Sequence, residues 1–471
     1  MYNIIEKINN FNIGNNTKQT TQSQVKTNKT HIDMKQNLIK LLGVGILSVT
    51  ILLTGCKSKN MSLTITNPSD TDRLEEMIEI PLEQIQGKLN LQEDQSLLIT
   101  NQKREEIPYQ ITYNNLLIFP TKLQAAETQI YTIISSNKAK EYPTIATGKT
   151  YPERFDDLAW ENDLVGFRAY GPALQAKGDK AYGYDLFAKR GTTEPVLEGM
   201  YAKETNTEMK ALIKSLRETD PKLADSLHKA KSYHIDKGHG MDCYAVGPTL
   251  GAGVAALVEN NEIVYPWCYK DCEILDNGPL RFTAKLTFTP LSIAGNNNII
   301  ETRIISLDKG SHFNKTIITY EGIDATMPIV SGIVLHNNIE ASQPSKIQNK
   351  QEDTQNTQND QYIRMDKAHG YISYQDPTTG PGKGEIYIGH AYSHELENAS
   401  TVLFTEQKSK EHGNAKGHVL AHNTYKPGEQ FTYWWGFGWS HSDIATYADW
   451  NEHLAQFAAQ LRQPLAITII D

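Results

Sequence analysis

Residues 234–243 read HIDKGHGMDC, placing His234, Asp236, His239 and Asp242 beside Cys243, with glycines at 238 and 240. Imidazoles and carboxylates this close can pass protons in acid–base catalysis or contact sugar hydroxyls. By residue type they could also hold zinc or calcium, so a divalent metal near His234, Asp236 and His239 stands as an alternative. The spacing matches no standard metal signature, no cofactor is predicted, and the glycines would equally serve an irregular structural turn. Cys243 reads as a buried or bridged residue rather than a nucleophile.

Four further sets could share that chemistry. Trp160-Glu161-Asn162-Asp163, followed by Arg168 and Tyr170, joins a ring able to cover the apolar face of a sugar to groups that take hydroxyls. An ordinary strand with an acidic edge would read the same. Asp185, Lys189 and Arg190 in GYDLFAKRG could hold a carboxylate, or form a solvated charge pair before a turn. Arg281, Arg303, His312 and Lys315 suit a uronate gripped bidentately, or cross-strand pairing with Glu301. Finally, YWWGFGWSHSD sets Trp434, Trp435, Phe437 and Trp439 among glycines, in a region that also holds His390, His418, His422 and His441. At least half of those rings are expected in the core.

The elements that must position these groups are mostly strands. Residues 61–137 contain six short runs rich in Ile, Leu, Thr and Tyr, separated by Asn, Asp, Gly and Pro, which predicts a small β-sandwich. Residues 158–170 alternate like a strand, and helices are predicted at 204–218 and 220–230. Beyond 240, ten longer β-like runs call for a large antiparallel sandwich or barrel. A helix is predicted over 443–463, with Asp443 as its cap, followed by the strand-like PLAITIID. The polar stretch 341–361 is expected to be a disordered loop inside the large domain.

At 471 residues the chain is too long for one ordinary core. The expected domains are a small sandwich over 58–140 and a large β-domain over 141–471. Residues 34–56, MKQNLIKLLGVGILSVTILLTGC, have the layout of a bacterial signal peptide ending in a lipobox-like LTGC. Residues 1–55 therefore read as an upstream extension and leader. Cys56 reads as the lipidated terminus of an exported lipoprotein, membrane-anchored and facing the periplasm rather than the cell exterior. Residues 1–55 carry six lysines and two acids, so 40 basic and 53 acidic residues remain beyond them, a net charge of −13. That argues against a nucleic-acid partner. Cys243, Cys268 and Cys272 allow one disulfide and leave one thiol over. Nothing in the sequence indicates an oligomeric state.

WENDLVGFRAYGPA, AKRGT, YHIDKGHGMDCYAVGPTLGAG, KGSHFNK and WWGFGWS together resemble the bacterial exported family known as domain of unknown function 4861, across about residues 60–471. The resemblance implies a galactose-mutarotase-like supersandwich core, similar to that of several polysaccharide lyases, and a carbohydrate-active protein of polysaccharide utilisation. The expected partner is an anionic, uronate-containing oligosaccharide. Hydrolysis, the preferred reading, would use Glu161, Asp163 and Asp236 or Asp242 across the scissile bond. A lyase would use His234 or His239 as base, Arg281 or Arg303 as carboxylate clamp and Tyr170 or Tyr244 as acid. Trp160, Asn162, Arg168, Lys189, Arg190, His312, Trp435 and Trp439 would contact substrate. Two further readings stay open: a non-catalytic glycan-binding lipoprotein, and a sugar epimerase suggested by the likeness of fold.

Overall fold

A computed structural model describes residues 60–91, 95–336, 361–378, 380 and 382–470. The leader over 1–55, Cys56 and nearly all of the polar stretch 341–361 lie outside them.

The fold is mainly β and antiparallel, as expected. Strand Asn60–Thr66 alternates exposed and buried residues, aiming Met61, Leu63 and Ile65 at a core completed by Ile80, Ile99, Phe119 and Ile133. Two sheets, of five and three strands, face each other across it. The five-stranded one is closed by the end of the chain: Ala466–Ile470 pairs antiparallel with Asn60–Thr66, Leu63 opposite Ile469. A short helix, Leu82–Leu89, presents Leu82, Ile85 and Leu89 to the same core; its i, i+3, i+7 spacing is hidden among the flanking strand-like runs.

The larger body has a nine-stranded sheet as one layer. Two five-stranded sheets face it, and one continuous core includes residues of all three, among them Trp160, Phe167, Phe282, Ile305, Ile329 and Val419. One facing sheet comprises Thr147–Tyr151, Asp157–Glu161, Gly166–Ala169, Asp185–Lys189 and Gly240–Asp242. Between its last two strands the chain makes three helices: Leu197–Thr205, Thr207–Thr219 and Pro221–Lys231.

The latter two match the predicted helices, and their starts have clear causes. The Asn206 and Asp220 side chains accept from the Met209 and Leu223 amides, and Pro221 follows Asp220 directly. The C-terminal helix spans Tyr447–Arg462 rather than 443–463, because Thr446 and Asp449 form a reciprocal capping box there. Asp443 is not the cap; its carboxylate lies 3.1 Å from His312 Nε2. No helix among the described residues is long and apolar enough to cross a membrane.

The two cores are pinned together by polar contacts. Arg281 holds Asp308 through Nε at 2.5 Å and reaches Glu79 of the small sandwich at 2.6 Å. Arg73, buried, bonds Glu76 and the Gln463 carbonyl. Cys243, Cys268 and Cys272 are free thiols, so the one bridge that three cysteines allow is not made.

Candidate active site

Strand alternation sorts the candidates. In Asp157–Glu161 the even positions, Leu158 and Trp160, join the core between the sheets. The odd ones, Asp157, Ala159 and Glu161, point the other way, toward helix Leu197–Thr205. Register carries this across the sheet: Arg168 pairs with Ala159 and with Asp185, and Asp242 pairs with Phe187. Every charged residue of the four strands thus falls in one layer, beneath a lid that includes Leu197, Tyr201 and Tyr233.

Two separate ionic groups result. In the first, Glu161 accepts from Lys189 Nζ at 2.7 Å and from the Val196 and Leu197 amides at 2.9 and 2.8 Å. It is the carboxylate at the start of helix Leu197–Thr205, favoured there by the free amides and the helix dipole. All its oxygens are committed, so neither Glu161 nor Lys189 is free for a substrate. Asn162 is likewise spent, donating to the Asp308 and Ser311 carbonyls and accepting from Leu164 and Val165. Asp163 accepts the Gly310 amide at 2.8 Å.

The second group lies at the opposite end of the strands. Arg168 Nη2 bonds Asp185, and Asp242 lies 3.4 Å from the same nitrogen. Asp157 is 3.8 Å from Nη1. Tyr170 donates to Asp185 at 2.7 Å. Three buried carboxylates around one guanidinium leave an excess of negative charge. Burial, with Asp185 adding repulsion, pushes Asp157 up to about 6 and raises Asp242 as well.

Two histidines flank this cluster. His234 is held by its Nδ1, 3.2 Å from the Asp242 carbonyl and 3.6 Å from the carboxylate, with 56% of its side chain exposed. Burial of the remainder lowers its pKa below the ordinary imidazole value. His336 Nδ1 lies 2.6 Å from Asp376 and its side chain is 24% exposed. Burial acts to lower its pKa, but the Asp376 carboxylate outweighs that and raises it. Tyr244 follows Asp242 by two residues. Its ring meets the His336 ring edge-on at 5.5 Å, and its buried hydroxyl has no hydrogen-bond partner. The charges of Asp376 and Asp185 both act on that phenol, and that of Lys383 acts on His234.

The loop HIDKGHG is built around Asp236, which accepts the Gly238 and Gly240 amides at 2.8 and 3.0 Å and binds Arg190. Gly240 has φ +107°, and a Cβ there would overlap the Ala188 carbonyl, so only glycine fits. Asp236 is therefore a loop organiser. His239 is exposed at the tip, and among the described residues no three His, Cys, Asp or Glu side chains converge to hold a metal.

The aromatic and arginine candidates are structural. Trp160 is fully buried, stacked on Phe167 and Phe282, with its indole donating to Asn314 at 2.8 Å. Trp435 stacks on Tyr184 at 4.3 Å and donates to Thr316; Trp439 donates to the Lys383 carbonyl and carries Arg190 on its face. Arg303 lies in the sandwich core, bonded to Glu301 and Tyr184. Arg281 and His312 are taken by the partners described above.

The structure therefore brings together Arg168, Tyr170, His234, Asp242 and Tyr244, and separates from them Trp160, Glu161, Asn162, Asp163, Lys189, Arg281, Arg303, His312 and Trp435. It adds Asp157, His336, Asp376 and Lys383, and it joins Asp185 to Arg168 rather than to Lys189 and Arg190. Asp157 was accessible from alternation, since it shares a strand face with Glu161. His336 and Asp376 come from distant strands and carry no local signal.

The chain belongs to the family described as domain of unknown function DUF4861, which matches residues 65–467. It is similar to Uncharacterized protein P7 of Formosa agariphila, 25% identical over 430 residues, covering 88% of this chain and 94% of the relative. Among solved structures it is similar to an alpha-mannosidase from Enterococcus faecalis V583, with a TM-score of 0.40 at 8% identity. It is also similar to a Glycosyl Hydrolase Family 38 protein from Enterococcus faecalis, with a TM-score of 0.39. The alignments cover 88% of this chain but only 46% and 48% of those two chains, about half their length.

Proposed function

We propose that the protein is a carbohydrate-active enzyme that cleaves a uronate-containing oligosaccharide by β-elimination, at the cluster around Arg168. The observation that supports this most is the pair of part-exposed histidines whose environments push their pKa values apart, His234 down and His336 up. Such a split supplies a neutral base and a charged acid at the same pH. In this reading His234 takes the proton α to the uronate carboxylate, and the bond from the adjacent ring carbon to the glycosidic oxygen breaks. A carbon–carbon double bond forms in the ring, and His336 returns a proton to the departing oxygen. Lys383 neutralises the carboxylate, and Asp376 orients His336.

Hydrolysis fits this cluster less well. It calls for two carboxyl groups on opposite sides of the glycosidic bond. Asp185 and Asp242 instead meet at one guanidinium nitrogen, and Glu161 is consumed by Lys189 and a helix start.

Incubation with a panel of uronate-containing oligosaccharides tests the proposal. Elimination predicts products without added water and a new ultraviolet absorbance from the unsaturated uronate. Both signals should be lost in His234→Gln and in His336→Gln. Products heavier by one water, or full activity in both variants, would refute it.

The reading also takes the chain as an exported lipoprotein anchored through Cys56, supported by the lipobox-like Leu53-Thr54-Gly55-Cys56. Metabolic labelling with a fatty-acid analogue should mark the protein and be abolished by Cys56→Ala.

A further inference from the structure

We propose that Arg154 is a positioning residue for His234, acting through the phenol of Tyr233. The inference rests on the reading of His234 as the base, and concerns how that base is aimed and which of its nitrogens is free.

The tautomer of His234 follows from its contacts. Its Nδ1 lies 3.2 Å from the Asp242 carbonyl. A carbonyl only accepts, so Nδ1 of the neutral ring carries the hydrogen and donates it. Nε2 keeps its lone pair and is the basic nitrogen of this part-exposed ring. The Asp242 amide in turn donates to the Tyr233 carbonyl at 2.9 Å, so two hydrogen bonds tie Tyr233 and His234 to Asp242.

Tyr233 sets where the imidazole lies. Its ring meets the His234 ring edge-on, with 4.7 Å between centroids, and also packs against Phe187 and Tyr201 at 5.6 and 6.1 Å. Its hydroxyl accepts from two guanidiniums, Arg168 Nη1 and Arg154 Nε, each at 3.3 Å. A phenol oxygen gripped by two cationic donors is fixed more firmly than one bonded to neutral groups. Arg168 is also committed to the aspartates. Among the described residues Arg154 makes no ion pair, and Tyr233 is its one hydrogen-bond partner.

The backbone behind Arg154 is held against its own preference. Arg154 ends the turn Pro152–Arg154, and the next two residues, Phe155 and Asp156, both have φ +59°. Side chains rarely adopt that region, and such strain gathers where a fixed geometry serves function. Two contacts impose it. Tyr269 donates to the Asp156 carbonyl, and Gly171 lies so close to that carbonyl that a Cβ would overlap it. The guanidinium itself rests 5.2 Å from the Phe155 ring centroid. The turn therefore delivers Arg154 to Tyr233 in one orientation.

Nitrogen NMR of protein labelled in its histidine rings reads the tautomer directly, with His234→Gln assigning the signal. The parent should show the Nδ1–H form of His234. Tyr233→Phe keeps the ring packing and the Arg154 charge and removes only the hydroxyl; Arg154→Met removes the donor. Both should move His234 toward a mixture of tautomers. Both should also lower kcat on the uronate oligosaccharide about tenfold or more, with KM changed by less than about twofold. Arg154→Lys, which can still donate to the phenol, should recover most of the rate. The parent's tautomer and kcat in Tyr233→Phe would overturn the proposal, and that variant decides if Arg154→Met does not fold. Arg154→Lys no better than Arg154→Met would overturn it too. The tautomer is read without turnover, so mixing in the variants of a protein that eliminates no uronate would sink the proposed reaction and leave the positioning standing.

Discussion

Asp157 offers a sharp test of how the charge layer is balanced. It is fully buried, one oxygen has no hydrogen-bond partner, and its pKa is raised from 3.8 to about 6 by burial. A carboxyl whose pKa is raised in the native state binds its proton more tightly there than in the unfolded chain. Its contribution to stability is therefore complete below the unfolded value and is lost as pH rises through about 6. A rise of that size corresponds to about 2–3 kcal/mol. The perturbation is Asp157→Asn, which cannot titrate. Denaturation in guanidinium at pH 4, 5, 6 and 7 gives both stability curves. Relative to the variant, the parent should lose about 2–3 kcal/mol between pH 4 and pH 7. A constant offset from the new amide cancels, because only the slopes are compared. Parallel curves would refute the account of the cluster as holding excess negative charge.

Glu161→Gln and Lys189→Met should each cost about 3–5 kcal/mol by stranding a buried charge. The double variant should recover much of that in a double-mutant cycle, and an additive result would argue against the pairing. Trp160→Ala should lose about 3–5 kcal/mol of stability, as core truncations do, while the folded protein keeps its sugar affinity. Loss of binding in a folded variant would return Trp160 to the site. Asp376→Asn should lower the His336 pKa, seen as a shifted imidazole titration by NMR, and move the alkaline limb of the rate profile to lower pH. An unmoved titration would remove Asp376 from its positioning role.

The β-rich architecture, the helices at 207–219 and 221–231 and the family were legible because each rests on local signals: period, caps and motif strings. The capping residues Asn206 and Asp220 are visible in the string. The Thr446–Asp449 box was equally visible, and reading Asp443 as the cap missed the Thr-x-x-Asp spacing. Within the candidate site, the members of HIDKGHGMDC divide. Asp236 folds the loop, His239 faces water, and His234 and Asp242 belong to the cluster.

Trp160 and Glu161 show where residue type misleads. Adjacent residues of a strand face opposite sides, so a ring and a carboxylate one apart cannot share a sugar. That much is contained in the sequence by itself, as are the alternation that collects Asp157, Arg168, Asp185 and Asp242 on one face and the apolar partners on the other. What lies over each face is not. Only the tertiary structure decided that helix Leu197–Thr205 covers Glu161 and withdraws it from chemistry. It alone set three aspartates on one arginine, and brought His336 and Asp376 beside Tyr244 from about a hundred residues away. A strand's facing follows from backbone geometry over two residues, whereas a side chain's ionisation and reach depend on which distant groups exclude its water.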